Sequence, residues 1–380
     1  MRKRIICAFL LLLTLLPLGG CWDYRGLDEL SIVTGIAIDK KTDGEGYMLT
    51  YEIVDLSDAS KEKGPKRKLI ESEGKTLFES VRNAKRRINN KLYFGHAEMI
   101  IISEELARSE DMRNYIDFFI RDAECRQTMG LIVSQEKTAR DVLATEGLGQ
   151  TIVANELFEI LEEDSKYTPS VLYWEVYQVF NILDAKGQEL ALPAVHNVQN
   201  DGRTVAETNG VAIFKDDKLI GFLSPEESKY LVFILDKVRG GIIAVPASEE
   251  SPAVTLEILK NTTDISFEYK DDKLKFKIKF KTVAFLDEYM GPTQDTDEKR
   301  LGILQNAANT EIEKQVGNVI KKLQNEFGSD VVGFGNMIYK KDLKLWKQLG
   351  DNWDEHFKTL EVEVKSDVEI INTASIKITK

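Results

Sequence analysis

The sequence predicts a mixed α/β and α+β protein of three domains behind a cleaved leader, with mixed and antiparallel sheets packed against helices. Three observations carry that prediction. Strand-period alternation is strict over residues 273–281, KLKFKIKFK, where Lys alternates with Leu, Phe, Ile and Phe, so that one face is buried and the other wet. Leu301, Leu304, Ala308, Ile312, Val316, Val319, Leu323 and Phe327 recur at steps of three and four, one apolar stripe along a helix expected over 296–327. The chain of 380 residues is 43% hydrophobic and 30% charged, a globular composition with room for two or three domains.

The leader comes first. Arg2, Lys3 and Arg4 head an apolar run over 5–18, IICAFLLLLTLLPL. Fourteen residues are too few for a mature membrane span and suit a secretory signal. Leu18-Gly19-Gly20 then runs into Cys21, small residues before a cysteine as in a bacterial lipobox, where the cysteine carries lipid on its sulfur and becomes the new N-terminal residue. A signal peptide over 1–20 and lipid on Cys21 are therefore expected. Cleavage removes three positive charges and no negative ones, taking the net charge from −12 to −15 over 360 residues. Cys7 leaves with the leader and Cys21 carries lipid, so Cys125 has no intrachain partner. An exported chain of this kind is held by its core alone.

An N-terminal mixed α/β domain is expected over 21–189. Strands at 31–39 and 47–54 flank a polar turn; a helix at 76–88, a strand at 92–102 and a helix at 111–121 follow. A strand at 128–133, a helical turn at 138–144 and helices over 151–185, broken at Thr168-Pro169-Ser170, complete it. Pro193 and the turn at 199–202 mark the start of a middle domain over 190–250. Strands at 209–215 and 218–224 form a hairpin around Asp216-Asp217, and Ser224-Pro225-Glu226-Glu227 opens a helix with Ser capping and Pro in the first turn. The C-terminal domain, 251–380, reads as antiparallel α+β, with strands at 254–259, 265–269, 273–281, 360–364 and 375–378 around the long helix, which ends at Gly328. If 360–364 neighbours the lysine row at 273, 275, 277, 279 and 281, Glu361 and Glu363 face it across the wet side.

Chemistry is sparse. His96, His196 and His356 are far apart, with no His-x-x-x-His or Cys-x-x-Cys spacing. Nucleophile-elbow, dinucleotide and P-loop patterns are absent, and Gly333-Phe334-Gly335 is too short to cradle a phosphate and reads as a turn. Asp39 and Asp43-Gly44 faintly suggest a calcium loop, but Lys41 and Thr50 occupy positions that need carboxylates. No catalytic, metal or cofactor residue is assigned. Net charge −12 repels phosphate backbones and argues against nucleic acid. Lys61, Lys63, Lys66, Arg67 and Lys68, with Lys85, Arg86 and Arg87, form one basic cluster. It reads first as a solvated loop and helix face, second as a headgroup or partner contact.

From Cys21 onward the chain resembles the Ger(x)C family, the C-subunit lipoproteins of spore germinant receptors in endospore-forming bacteria. The matching stretches are Cys21-Trp22-Asp23-Tyr24-Arg25 leading to ELSIVTGIAIDK at 29–40, GHAEMIIISEELAR at 95–108, NGVAIFKDDKLIGFL at 209–223 and DVVGFGNMIYKK at 330–341. Gly26 stands where the family commonly has an acid, and 190–203 carries little family signal. The resemblance implies a non-enzymatic subunit, anchored to lipid through Cys21 on the outer face of the cytoplasmic membrane, which becomes the spore inner membrane. It implies two integral membrane partners, A and B type, one of them holding the nutrient pocket, and a fold of three mixed α/β domains. The rival reading is a solute-binding lipoprotein of a transport system; its two lobes of parallel strand–helix repeats do not fit the consecutive alternating strands at 254–281. A tethered hydrolase lacks a nucleophile or metal constellation.

Overall fold

The computed structural model describes Arg2 and residues 29–55, 66–149, 152–246, 253–290 and 298–372. The rest of the leader, Cys21, Lys61, Lys63 and the strand expected at 375–378 lie outside those residues.

The fold is mixed α+β, built on two sheets. The first joins β1 (Leu30–Lys40), β2 (Tyr47–Asp55), β3 (Lys66–Gly74), β4 (Lys91–Tyr93), β5 (Met99–Ser103), β6 (Gly130–Ser134), β7 (Ala191–Asn200), β8 (Arg203–Lys215) and β9 (Lys218–Leu223). Its order is β3-β2-β1-β5-β6-β7-β8-β9, with β4 beside the start of β1. The centre, β1-β5-β6-β7, is parallel, and both flanks are antiparallel. Parallel neighbours need crossovers. Helices α1 (Leu77–Asn83), α2 (Glu104–Ser109), α3 (Arg113–Arg121), α4 (Ala139–Leu143), α5 (Val153–Tyr167) and α6 (Val176–Leu183) lie in those connections. They cover both faces, which is why β5 (MIIIS) and β6 (GLIVS) are buried at every position. Ile100, Ile102, Leu131 and Val133 meet α2, α3 and α6 on one side; Met99, Ile101 and Ile132 meet α4 and α5 on the other.

The second sheet runs β10 (Ile242–Val245), β11 (Val254–Lys270), β12 (Lys273–Tyr289), β13 (Glu361–Asn372). Helix α7 (Pro225–Ile234) and the long α8 (Glu298–Lys322) share its core, with Phe276, Ile278 and Phe280 against Leu304, Ala308, Ile312 and Val316. A single π-turn, Leu323–Phe327, ends α8 at Gly328. Helices α9 (Phe334–Lys341), α10 (Leu343–Leu349) and α11 (Trp353–Lys358) then lead to β13.

Strand pairing departs from the expected layout in three places. The described residues of 190–250 form no sheet of their own. Val133 pairs with Ala194, so β7, β8 and β9 extend the first sheet, while α7 and β10 join the C-terminal core. Pro193 sits inside β7, at a register shift between Pro193 and Val195 rather than at a boundary, the bulged position a residue without an N–H can take. The C-terminal domain is not wholly antiparallel: β13 runs parallel to β12, because the chain crosses through α8 to α11 before returning. The strands expected separately at 254–259 and 265–269 are one, β11.

Candidate functional site

The lysine row behaves as its spacing predicts. Lys275 lies opposite Glu361 and Lys277 opposite Glu363. The Lys275 ammonium sits 2.7 Å from Glu361 and 3.0 Å from Glu363, and Lys277 lies 3.5 Å from Glu268. Hydrogen bonds to Glu361 and then Glu363 hold Lys275 above its ordinary range.

Buried carboxylates do more. Glu52, with no exposure in the middle of β2, accepts from Val153 N and Ala154 N at 2.9 and 3.0 Å and from Thr34 Oγ1 at 3.0 Å. Those two N–H groups open α5, where an anion is favoured. Arg67 completes the set: its guanidinium is 3.1 Å from Glu52 and donates to the carbonyls of Leu143 and Thr145. Arg67 thus leaves the predicted basic cluster and works as a tie between β3 and the α4 region. Arg87 donates to Glu71 O and Lys85 to Asn89 O. Asp39 and Asp43, the weak calcium candidates, are structural. Asp39 accepts from Ala139 N and Arg140 N at the start of α4, and Asp43 pairs with Lys41. Burial pushes the Asp39 carboxyl up, against those N–H bonds.

The densest constellation lies where the two sheets' bodies meet. Asp330, 3% exposed, accepts from the N–H groups of Gly333, Phe334 and Gly335 at 2.8, 3.1 and 2.9 Å, and from Trp353 Nε1 at 3.0 Å. Gly333 has φ +80°, and a Cβ on Gly335 would lie 2.6 Å from Trp353 Nε1. The Gly-Phe-Gly segment therefore does cradle an anion: this chain's own carboxylate, at the start of α9. Burial raises Asp330 to about 6, opposed by the three backbone N–H groups and the indole. The same segment joins the two bodies. Ser329 Oγ donates to Phe214 O, Glu189 N to Asp330 O, Asn336 N to Gly187 O and Asn336 Nδ2 to Lys186 O. Above it opens a cleft of about 620 Å³. Lys215 reaches from β8 to Glu189 at 3.0 Å and Asp354 at 2.5 Å along its wall. Trp346 and Trp353, 5.8 Å between centroids, also line it.

The histidines stay apart. His196 faces Glu207 at 3.2 Å, His96 stacks edge-on against Tyr93, and His356 lies in α11. Among the described residues no group of three His, Cys, Asp or Glu is placed to hold a metal. Burial pushes the Cys125 thiol up to about 12. Sequence reasoning missed Glu52, Asp164 and Asp330. Glu52 carried a signal, an acid inside the apolar strand YMLTYEIV; Asp164, near the end of α5, where it accepts from Ser170 N and Val171 N, and Asp330, in the turn before α9, carried none.

A family model described as "Spore germination protein N-terminal domain" matches residues 23–197, and one described as "Spore germination B3/ GerAC like, C-terminal" matches 209–374. Spore germination protein KC of Bacillus subtilis (strain 168) is 26% identical over 98% of this chain and 97% of its own. Spore germination protein B3 of the same organism is 28% identical over 95% and 96%. The crystal structure of the GerBC protein superposes with a TM-score of 0.57 at 24% identity, over 92% of this chain and 100% of that one, which shows the shared fold. Matched in order along nearly its whole length, the chain belongs to the Ger(x)C family, the spore germination B3/GerAC-like proteins.

Proposed function

We propose that this chain is the lipid-anchored C subunit of a nutrient germinant receptor, a non-enzymatic component required to trigger spore germination. The observation that carries the reading is the run of family matches over 23–197 and 209–374, supported by end-to-end similarity to spore germination proteins KC and B3. Two integral membrane subunits, A and B type, are its partners, and one of them supplies the nutrient pocket. Attachment is assigned to Cys21 from the Leu18-Gly19-Gly20 junction that precedes it; among the described residues no helix is long and apolar enough to cross a membrane. A diacylglyceryl thioether there supplies two acyl chains, enough for stable anchoring where one chain holds only marginally. The site is the outer face of the cytoplasmic membrane, which becomes the spore inner membrane.

The test is recovery from spores. A tagged chain is expected to copurify from the inner-membrane fraction with two polytopic proteins, and its deletion to abolish the response to the receptor's nutrients. Cys21→Ala is expected to leave the precursor unacylated and to cut the membrane-bound fraction at least tenfold. An unmodified Cys21 in the mature chain sinks the anchor; recovery with a solute permease sinks the receptor assignment.

A further inference from the structure

The chain meets its first strand beside a surface that has the composition of a bilayer contact. Leu30, the first residue of β1, pairs with Lys91 of β4, and Asn90 Nδ2 donates to Leu30 O at 3.4 Å. Cys21 lies nine residues upstream, a reach of roughly 30 Å at most. Phe78, Arg82, Lys85, Ile88 and Lys91 line a groove of about 390 Å³ next to this point. Phe78 is 48% exposed, with the Arg82 guanidinium 4.8 Å over its ring. Residues 80–95, SVRNAKRRINNKLYFG, hold five Lys and Arg and no Asp or Glu, in a chain of net charge −12. Arg82, Lys85, Arg86 and Arg87 are all exposed. The acids that also line the groove are engaged: Glu124 pairs with Lys91 at 2.5 Å, and Asp122 accepts from Glu124 N at 2.9 Å.

We propose that this face, from Phe78 to Lys91, seats on an anionic bilayer surface. Phe78 enters at the level of the headgroups, and Arg82, Lys85, Arg86 and Arg87 contact lipid phosphates. A lipid on Cys21 limits how far the body stands from the membrane but leaves its orientation open. A basic surface with an exposed ring at the tether's end selects one orientation, and each Lys or Arg at the surface of an anionic membrane is worth roughly fivefold in partitioning. An acidic loop of a partner protein would meet the same charges without needing the exposed ring, and two features favour lipid: Phe78 and the short reach to Cys21.

The inference rests on the lipid-anchor reading, so the experiment separates the two. Full-length lipidated protein is reconstituted into phosphatidylcholine vesicles with and without phosphatidylglycerol. A polarity-sensitive fluorophore is placed on Asn89→Cys in a Cys125→Ser background. Bromine-labelled lipid is expected to quench the label in anionic vesicles and to leave it unquenched in neutral ones. The triple variant Arg82→Glu, Lys85→Glu, Arg86→Glu is expected to lower the docked-to-undocked ratio about a hundredfold while the chain stays vesicle-bound through its lipid. Chain released from neutral vesicles but held by anionic ones retains docking and removes the anchor. Equal quenching in both vesicle types, quenching indifferent to charge reversal, or loss of partner recovery from spores with quenching unchanged overturns the proposal.

Discussion

At the residue scale, the recurrent device is an acid buried against backbone N–H groups. Asp39, Glu52, Asp164 and Asp330 each accept at least two main-chain N–H bonds. In a chain whose one described cysteine is free, these bonds supply fixed ties that a disulfide would otherwise provide, at the desolvation cost of a carboxylate. Asp330 shows that cost in its proton affinity. Folded, it takes up a proton near pH 6; unfolded, near its ordinary 3.8. Between those values the folded state holds more protons, so its stability grows as pH falls and is lost as pH rises through 6. The difference corresponds to about 2–3 kcal/mol. Burial also raises Asp39, Asp164 and Glu189, and their contributions carry the same sign. Asp330→Asn keeps one acceptor oxygen and turns an amide NH2 toward N–H donors, with an expected loss of about 2–4 kcal/mol near pH 5. Chemical denaturation from pH 4 to 8 checks both parts. A wild-type stability that rises through pH 6, or an Asn variant with the wild-type pH slope, refutes the assignment.

At the element scale, α8 serves the sheet twice. Its apolar stripe fills the core, and the residue after each of three stripe positions reaches the edge of β13. Gln305 Oε1, Asn309 Oδ1 and Glu313 Oε1 accept from the N–H groups of Ile370, Val368 and Ser366 at 3.1, 2.8 and 2.9 Å. Four-residue spacing on a helix rises about 6 Å and two-residue spacing on a strand about 6.6 Å, so the two ladders stay in step for three rungs. The outward N–H groups of β13 are thereby closed to another strand. Replacing all three side chains with Ala is expected to cost about 3 kcal/mol and to promote self-association through β13. Urea midpoints and sedimentation velocity read the two effects; a monomer of wild-type stability counts against the ladder. This scale also shows what was legible in the sequence. Periodicity finds the α8 stripe and the β12 alternation, since both rest on one buried face. It misses α9 to α11, short helices whose apolar residues are few and whose partners are distant in sequence. It also misses the parallel return of β13, which no local pattern encodes. The Lys–Glu pairing was readable because both strands alternate; the Asp330 cradle was not, because three of its donors are main-chain atoms and the fourth, the Trp353 indole, is distant in sequence.

At the scale of the whole molecule, the two sheets share one core. Val211, Ile213 and Leu223 of the first sheet fall in the same buried cluster as Phe276, Phe280 and Ile312 of the second body, and Trp174 touches the cores on both sides. The link at 329–336 adds hydrogen bonds to Phe214, Lys186 and Gly187. Bodies coupled in this way are expected to melt together, with calorimetric and van't Hoff enthalpies in agreement. Gly187 is where that coupling is most exposed to a single change. Its φ is +65°, and a Cβ there would lie 2.5 Å from the Trp346 ring and 2.9 Å from the Gly335 backbone. Gly187→Ala must therefore push the 185–189 loop away from α9 and α10, and the hydrogen bonds that Gly187 O and Lys186 O accept from Asn336 lengthen with it. The core residues of each body are untouched by the change, so each retains its own packing while the contact between them weakens. Differential scanning calorimetry is expected to show one transition for the wild type and two, or one much broader, for Gly187→Ala. A single sharp transition shifted down intact would mean that the shared core around Val211 and Ile213 couples the bodies without the 329–336 link. Two transitions already in the wild type would mean that the bodies fold independently, and that motion between them costs little.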